Sequence, residues 1–127
     1  MPTTATKTLT TKEIASKLKK YCEAGKFETA QTELFAKDAV SIEPMASGGF
    51  DKETKGLDAI IKKGEKWNEM VTKTYSLEVS EPMIAGNTFS LVMRMDIDMK
   101  QGGRTDMTEL CVYQVKDGKI ISEQFYM

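Results

Sequence analysis

The chain of 127 residues contains no histidine. That absence removes serine–histidine and cysteine–histidine nucleophile pairs, and every histidine-ligated metal site with them. Cysteine is scarce: Cys22 and Cys111 stand alone, with no Cys-x-x-Cys pair for metal or redox chemistry. The glycine loops GxGxxG and GxxxxGK[ST], which cradle phosphates, are missing as well. Charge of one sign is lacking too, since 18 basic against 19 acidic side chains leave a net −1 with no long block of either. A phosphate backbone calls for a basic face, so nucleic acid is not an expected partner. No apolar run approaches the roughly 20 residues of a membrane span, and no membrane partner is expected. The opening residues lack the apolar h-region of a signal peptide and read as part of a flexible tail over 1–10. Residues 11–127 then make one domain, long enough for a single core. The two cysteines fall on an apolar helix stripe and in a strand, which suits buried reduced thiols and a cytoplasmic location. Acid–base chemistry is left to carboxylates, tyrosines, lysines or cysteines, with no cofactor or metal implied.

What the chain does have is alternation near its C-terminus. Phe89, Leu91, Met93, Met95, Ile97 and Met99 place an apolar side chain at every second position, the period of a half-buried strand. A polar turn over residues 101–104 leads into a strand from Thr105 to Lys116, and Asp117-Gly118 turns the chain into a last strand from Lys119. Asp-Gly between apolar runs is a hairpin signal, because both residues tolerate the positive φ of a type I′ turn. Upstream the period is helical. Thr10-x-x-Glu13 is a capping box opening a helix with Ile14, Leu18, Tyr21 and Cys22 on one stripe, closed by Gly25. Phe27, Ala30, Leu34 and Phe35 mark a second helix, and residues 39–43 a short strand stopped by Pro44. Residues 45–54, with Gly48-Gly49, read as a mobile loop. Leu57, Ile60, Ile61, Gly64, Trp67 and Val71 mark a third helix, where Gly64 would let another backbone approach, and a strand follows over 75–82. Helices first and long strands last predict an α+β fold, three N-terminal helices on a strongly bent, mostly antiparallel sheet.

The stretches FAKDAVSIEP, KGLDAIIKKGEKWNEM, PMIAGNTFSLVMRMDI and MTELCVYQVKDGKIISEQFYM, in that order and spacing, resemble the SnoaL-like branch of the nuclear transport factor 2-like superfamily. The resemblance runs from about Leu18 to Met127. It implies a cone in which sheet and helices enclose one pocket, often in a dimer. The superfamily holds ketosteroid isomerases, polyketide cyclases, epoxide hydrolases, dehydratases and non-catalytic binders, so fold alone does not choose a function.

Candidate site residues follow from alternation. With a two-residue turn at 117–118 and no bulge, Val112 would face Glu123 and Leu110 would face Phe125. One face then carries Leu110, Val112, Gln114, Ile121, Glu123 and Phe125; the other carries Glu109, Cys111, Tyr113, Val115, Ile120, Ser122, Gln124 and Tyr126. A one-residue bulge would exchange these sets. Glu123, between Ile121 and Phe125, is the first candidate, since a carboxylate on an apolar face has its pKa raised by desolvation. SnoaL-like cyclases commonly carry a His-Trp-Asp run on this strand; here Glu123-Gln124-Phe125 stands instead. Glu43 is the second candidate, at a strand end where ketosteroid isomerase-like members carry a catalytic aspartate. Glu109 is a carboxylate in a strand, where acids are depleted. Trp67, Tyr21, Phe125 and Tyr126 are the expected aromatic pocket residues, with methionines as soft lining. Asp96 is expected to pair with Arg94 or Arg104 on the sheet exterior.

These residues admit an enzyme, in which a desolvated Glu123 or Glu43 takes a proton beside a carbonyl and a tyrosine or the Trp67 N–H holds the oxyanion. This is isomerase, cyclase or dehydratase chemistry on a small apolar or carbonyl-containing molecule. They equally admit a binding module without turnover, or a protein-interaction module. A homodimer over the outer sheet face is expected, with Val92 and either Val112 or Tyr113 in contact.

Overall fold

A computed structural model describes residues 8–127, and these form the expected α+β cone of three helices on a curved, mostly antiparallel sheet. The helices are α1 (Thr11–Glu23), α2 (Phe27–Leu34) and α3 (Leu57–Met70). The strands are β1 (Phe35–Ile42), β2 (Glu53–Lys55), β3 (Val71–Val79), β4 (Met83–Ala85), β5 (Thr88–Met99), β6 (Gly103–Lys116) and β7 (Lys119–Tyr126). They form one sheet ordered β2-β1-β7-β6-β5-β3, with β4 also on β5. Only β1 and β7 run parallel; every other pairing is antiparallel. Of the expected tail, residues 1–7 lie outside the described residues, whereas Leu9 packs on the core and Thr10 caps α1. None of the described helices is long and apolar enough to cross a membrane.

Local chemistry sets the element ends. The Thr10 hydroxyl accepts from the Glu13 N–H at 3.1 Å and the Glu13 carboxylate accepts from the Thr10 N–H at 2.9 Å, a complete capping box. At the other end Gly25 sits at φ 72°, and its N–H and that of Lys26 donate to the carbonyls of Cys22 and Tyr21. That is a Schellman closure, which satisfies carbonyls the helix leaves open. The β6–β7 turn has Asp117 at φ 52° and Gly118 at φ 76°, as a primed turn requires. Gly118 is doubly constrained, because a Cβ there would stand 2.5 Å from the Thr8 side chain.

Helical spacing misleads at two junctions. Phe35 opens β1 rather than continuing α2, because it pairs with Ile120 on β7 and buries its ring. Val71 likewise leaves α3 to pair with Met99, so β3 starts four residues before the expected 75. The 45–54 segment is partly ordered, with a Ser47–Phe50 bridge and the short edge strand β2 along β1. Gly64 lets no backbone approach. The nearest atom to a Cβ there is Gln31 Oε1 at 3.8 Å, so its missing side chain leaves space in the cavity below.

The core lies between the helices and the inner face of the sheet. Ile14 and Leu18 of α1, Leu34 of α2 and Ile60 of α3 pack against Phe89 and Leu91 of β5, Cys111 and Tyr113 of β6, and Ile120 of β7. Phe89 stacks on Tyr113 with ring centroids 4.9 Å apart. Each fully buried aliphatic or aromatic side chain of this size stabilises the fold by about 1.5–3 kcal/mol. Tyr113 is thus a core residue, and of the two alternatives expected beside Val92 at a dimer contact only Val112 lies on the outer face.

Candidate functional site

One feature of β7 decides which side chains reach the interior. Val115 pairs with Ile120 and Gln114 with Ser122, so Ile121 is an extra residue in the strand. This bulge corrects the face assignment made by strict alternation. Beyond it, Glu123 pairs with Tyr113 and Phe125 with Cys111, which puts both on the inner face beside Glu109. Ser122, Gln124 and Tyr126 turn to the outer face with Leu110 and Val112.

The helices and this inner face enclose a cavity of about 490 Å³. Glu43, Glu109, Glu123, Trp67 and Phe125 line it, as do Phe50, Met93, Met95 and Met107. Tyr21 does not: its hydroxyl donates to Glu33 Oε2 at 3.0 Å, between α1 and α2, away from the cavity. Tyr126 does not either, since the bulge leaves it 48% exposed on the outer face. Met83 and Met99 do not line it either, and Met83 is 77% exposed.

The polar groups in the wall are linked. The Ser41 hydroxyl donates to Glu123 Oε1 at 2.8 Å. Lys63 Nζ donates to Ser41 Oγ at 2.8 Å and to Glu43 Oε2 at 2.6 Å. A chain Glu43–Lys63–Ser41–Glu123 thereby ties α3 to β1 and β7. Ser41 and Lys63 escaped the sequence reading. Their signal was spacing: Ser41 alternates with buried Ala39, and Lys63 lies three residues after Ile60 and four before Trp67, on one helical face. Lysines in a Lys-Lys-Gly-Glu-Lys run read naturally as a solvated surface, which hid it.

Electrostatics follow from burial. Glu123 is 5% exposed. Desolvation pushes its pKa up to about 7, although the Ser41 hydroxyl and the Lys63 charge pull the other way and Glu43 adds a smaller upward push. Glu109 is also pushed up to about 7, by desolvation first and then by the like charges of Glu43 and Glu123. Its side chain receives only a weak contact from the Cys111 thiol at 3.9 Å. Burial pushes the Cys22 thiol up to about 12 and Cys111 higher still, so neither is a ready nucleophile. Two carboxyl groups that change protonation near neutrality can donate and accept a proton over one apolar volume. The described residues contain no cluster of His, Cys, Asp and Glu able to hold a metal ion.

Three helices on a curved, mostly antiparallel sheet define the class, an α+β cone. Residues 9–127 match the SnoaL-like domain, and the chain belongs to that family. Its fold is similar to that of a candidate SnoaL-like polyketide cyclase from Mesorhizobium loti, with 30% identity and a TM-score of 0.86 over 94% of this chain and 100% of the other. It is also similar to a ketosteroid isomerase-like fold from Catenulispora acidiphila, solved in complex with trimethylamine, with 16% identity and a TM-score of 0.72 over 93% and 87% of the two chains. TerC, co-crystallized with polyporic acid, gives 12% identity and a TM-score of 0.73 over 93% and 92%. The last two likenesses concern the fold alone. Among curated proteins none matches the chain.

Proposed function

We propose that this protein binds a small, mainly apolar molecule in the cone cavity and moves a proton on it with Glu109 and Glu123. The observation that carries this reading is the pair of carboxyl groups, Glu123 buried and Glu109 half-buried, both pushed up to about 7, on one mainly apolar wall. In the step envisaged, ionised Glu109 takes a proton from the carbon next to a ligand carbonyl, and the electron pair moves onto the carbonyl oxygen. Neutral Glu123, or the Trp67 N–H, donates to that oxygen. The proton then returns to the ligand at a different carbon, which is isomerisation. Where the ligand carries a hydroxyl β to the carbonyl, Glu109 instead hands the proton to that hydroxyl, the electron pair returns from the carbonyl oxygen to form the carbon–carbon double bond, and the β-hydroxyl leaves as water, which is dehydration. Glu109 takes the base role here because Glu123 is already bound to Ser41. Glu43 serves to hold Lys63. Neighbours holding trimethylamine and polyporic acid support the cone as a container for small molecules of unlike polarity.

The test is exchange in heavy water. Apolar ketones that quench the fluorescence of Trp67, the sole tryptophan, are incubated with the protein and followed by NMR for deuterium beside the carbonyl. Glu109→Gln and Glu123→Gln are each expected to lower exchange by roughly 100-fold or more while ligand affinity stays within about twofold. Ketones that bind but never exchange would leave a binding module without turnover.

Assembly belongs to the same reading. Val92, Leu110 and Tyr126 form one cross-strand row on the outer face, 40%, 39% and 48% exposed. A second copy covering this row gives a homodimer, and the two buried free thiols suit a reducing cytoplasm. Sedimentation at micromolar concentration is expected to give a dimer that Leu110→Glu converts to monomer; a wild-type monomer rejects the dimer.

A further inference from the structure

Charge on the cavity wall is one-sided. Glu43, Glu109 and Glu123 lie within it and Glu28 and Glu65 stand at its exposed rim, whereas Lys63 is the one basic side chain lining it among the described residues. Lys63 is already occupied, since its ammonium donates to both Glu43 and Ser41. The Glu109 side chain accepts nothing from an N–H or O–H group among the described residues. An ionised carboxylate so placed, half-buried and with like charges around it, has as counter-charge only the pull of Lys63, which is already held by Glu43 and Ser41.

The rest of the wall suits a cation as well. Aromatic faces carry the negative part of a quadrupole and attract cations without a fixed hydrogen-bond geometry. Two rings of this cavity already do so: Lys63 Nζ lies 5.5 Å from the Phe125 centroid and Lys66 Nζ 4.6 Å from that of Phe50. Trp67 stands next to Phe50, centroids 6.4 Å apart and tilted, as a further face on the cavity. A ligand carboxylate entering here would meet acidic groups on several sides and no free ammonium.

We infer that the molecule held in this cavity carries a cationic nitrogen, bound beside Glu109, on an apolar body that packs against Trp67, Phe50 and the methionines. The inference rests on the cavity being a ligand site, as argued above, and it names the chemistry of that ligand: an amine or quaternary ammonium with an aromatic or aliphatic body.

Three probes of similar size separate charge from shape. The full chain is titrated at pH 8 with benzyltrimethylammonium, with its uncharged carbon isostere neopentylbenzene, and with phenylacetate, using Trp67 fluorescence. The cation is expected to bind at least roughly tenfold tighter than the isostere, with phenylacetate weakest. Glu109→Gln is expected to shrink the cation's advantage to about threefold or less while the isostere binds as before. Equal binding of cation and isostere, or tightest binding of phenylacetate, overturns the charge inference and leaves the cavity as a site for neutral or acidic molecules. An unchanged cation advantage in Glu109→Gln, with the fold intact by circular dichroism, overturns the role of Glu109. Silence from all three probes overturns the binding reading together with this one. The wild-type comparison decides the ligand's charge even where a variant does not fold.

Discussion

The two faces of the sheet treat the same chemical group in opposite ways. On the outer face Asp96 and Asp106 stand directly across from each other, a like-charge pairing that would repel. Each is answered by an arginine of the other strand. Arg104 grips Asp96 with two hydrogen bonds at 3.0 and 2.9 Å, and Arg94 grips Asp106 at 3.1 and 2.7 Å. Arg104 also lies over the Tyr75 ring at 3.9 Å. The guanidinium bonds hold both carboxyls below the usual range. On the inner face Glu109 and Glu123 move the other way, because loss of water outweighs the one cation near them. Carboxylates in a strand are therefore not a signal in themselves. What separates the two faces is the balance between partners and water.

The sharpest way to break this comparison is to remove the inner cation. Lys63→Met keeps the stem but leaves Glu43 and the Ser41–Glu123 pair without the ammonium between them, and unfolding by urea at pH 8 should show a loss of about 3 kcal/mol. At pH 5, where Glu123 is protonated, the loss should shrink. An equal cost at both pH values would mean that Lys63 acts by packing alone.

Next in size is Glu123→Gln, which keeps volume and the Ser41 bond while abolishing ionisation. The wild-type carboxyl has a folded pKa of about 7 against an ordinary 4.5, so the folded state holds its proton longer than the unfolded chain. Wild-type stability must therefore fall, relative to the variant, as pH rises from about 4.5 to 7, and the difference persists above that range. Melting curves should agree at pH 4 and separate by a few degrees at pH 8, with the variant higher. A wild type that is the more stable at pH 8 would show that Lys63 and Ser41 outweigh desolvation.

The smallest effect belongs to the outer face. Arg94→Ala opens one bidentate pair in water, and its melting temperature should change little, and less still in added salt. A large, salt-resistant loss would mean that this face is covered, which would sharpen the case for a dimer.

Much of this contrast was legible in the chain. Period-two spacing from Phe89, the Asp-Gly turn and the capping box marked helices ahead of a mostly antiparallel sheet, the family resemblance implied the cone, and Glu123 drew notice as an acid between Ile121 and Phe125. Asp96 finds one of its two expected arginines, Arg104. The site itself was less readable, because it depends on contacts between segments far apart in sequence. Ser41 and Glu123 are 82 positions apart, and no local pattern reports their bond. Tyr21 shares a stripe with core residues yet turns its hydroxyl to Glu33, since a helix stripe has edges that spacing does not resolve. Phe35 and Val71 changed elements because strand pairing outweighed helical spacing at the ends of α2 and α3.

The extra residue in β7 also sets how this site can tolerate changes in length. Loss of Ile121 would restore simple alternation and leave Glu123 opposite Tyr113 and Phe125 opposite Cys111. Loss of Gln124, three positions on, would instead turn Phe125 and everything after it to the other side of the sheet. Shortening by one residue is thus neutral for the placement of the carboxylate at one position and disruptive for its neighbour at another. Relatives differing by a single residue in this strand should carry their gap at the bulge, with the acid unmoved.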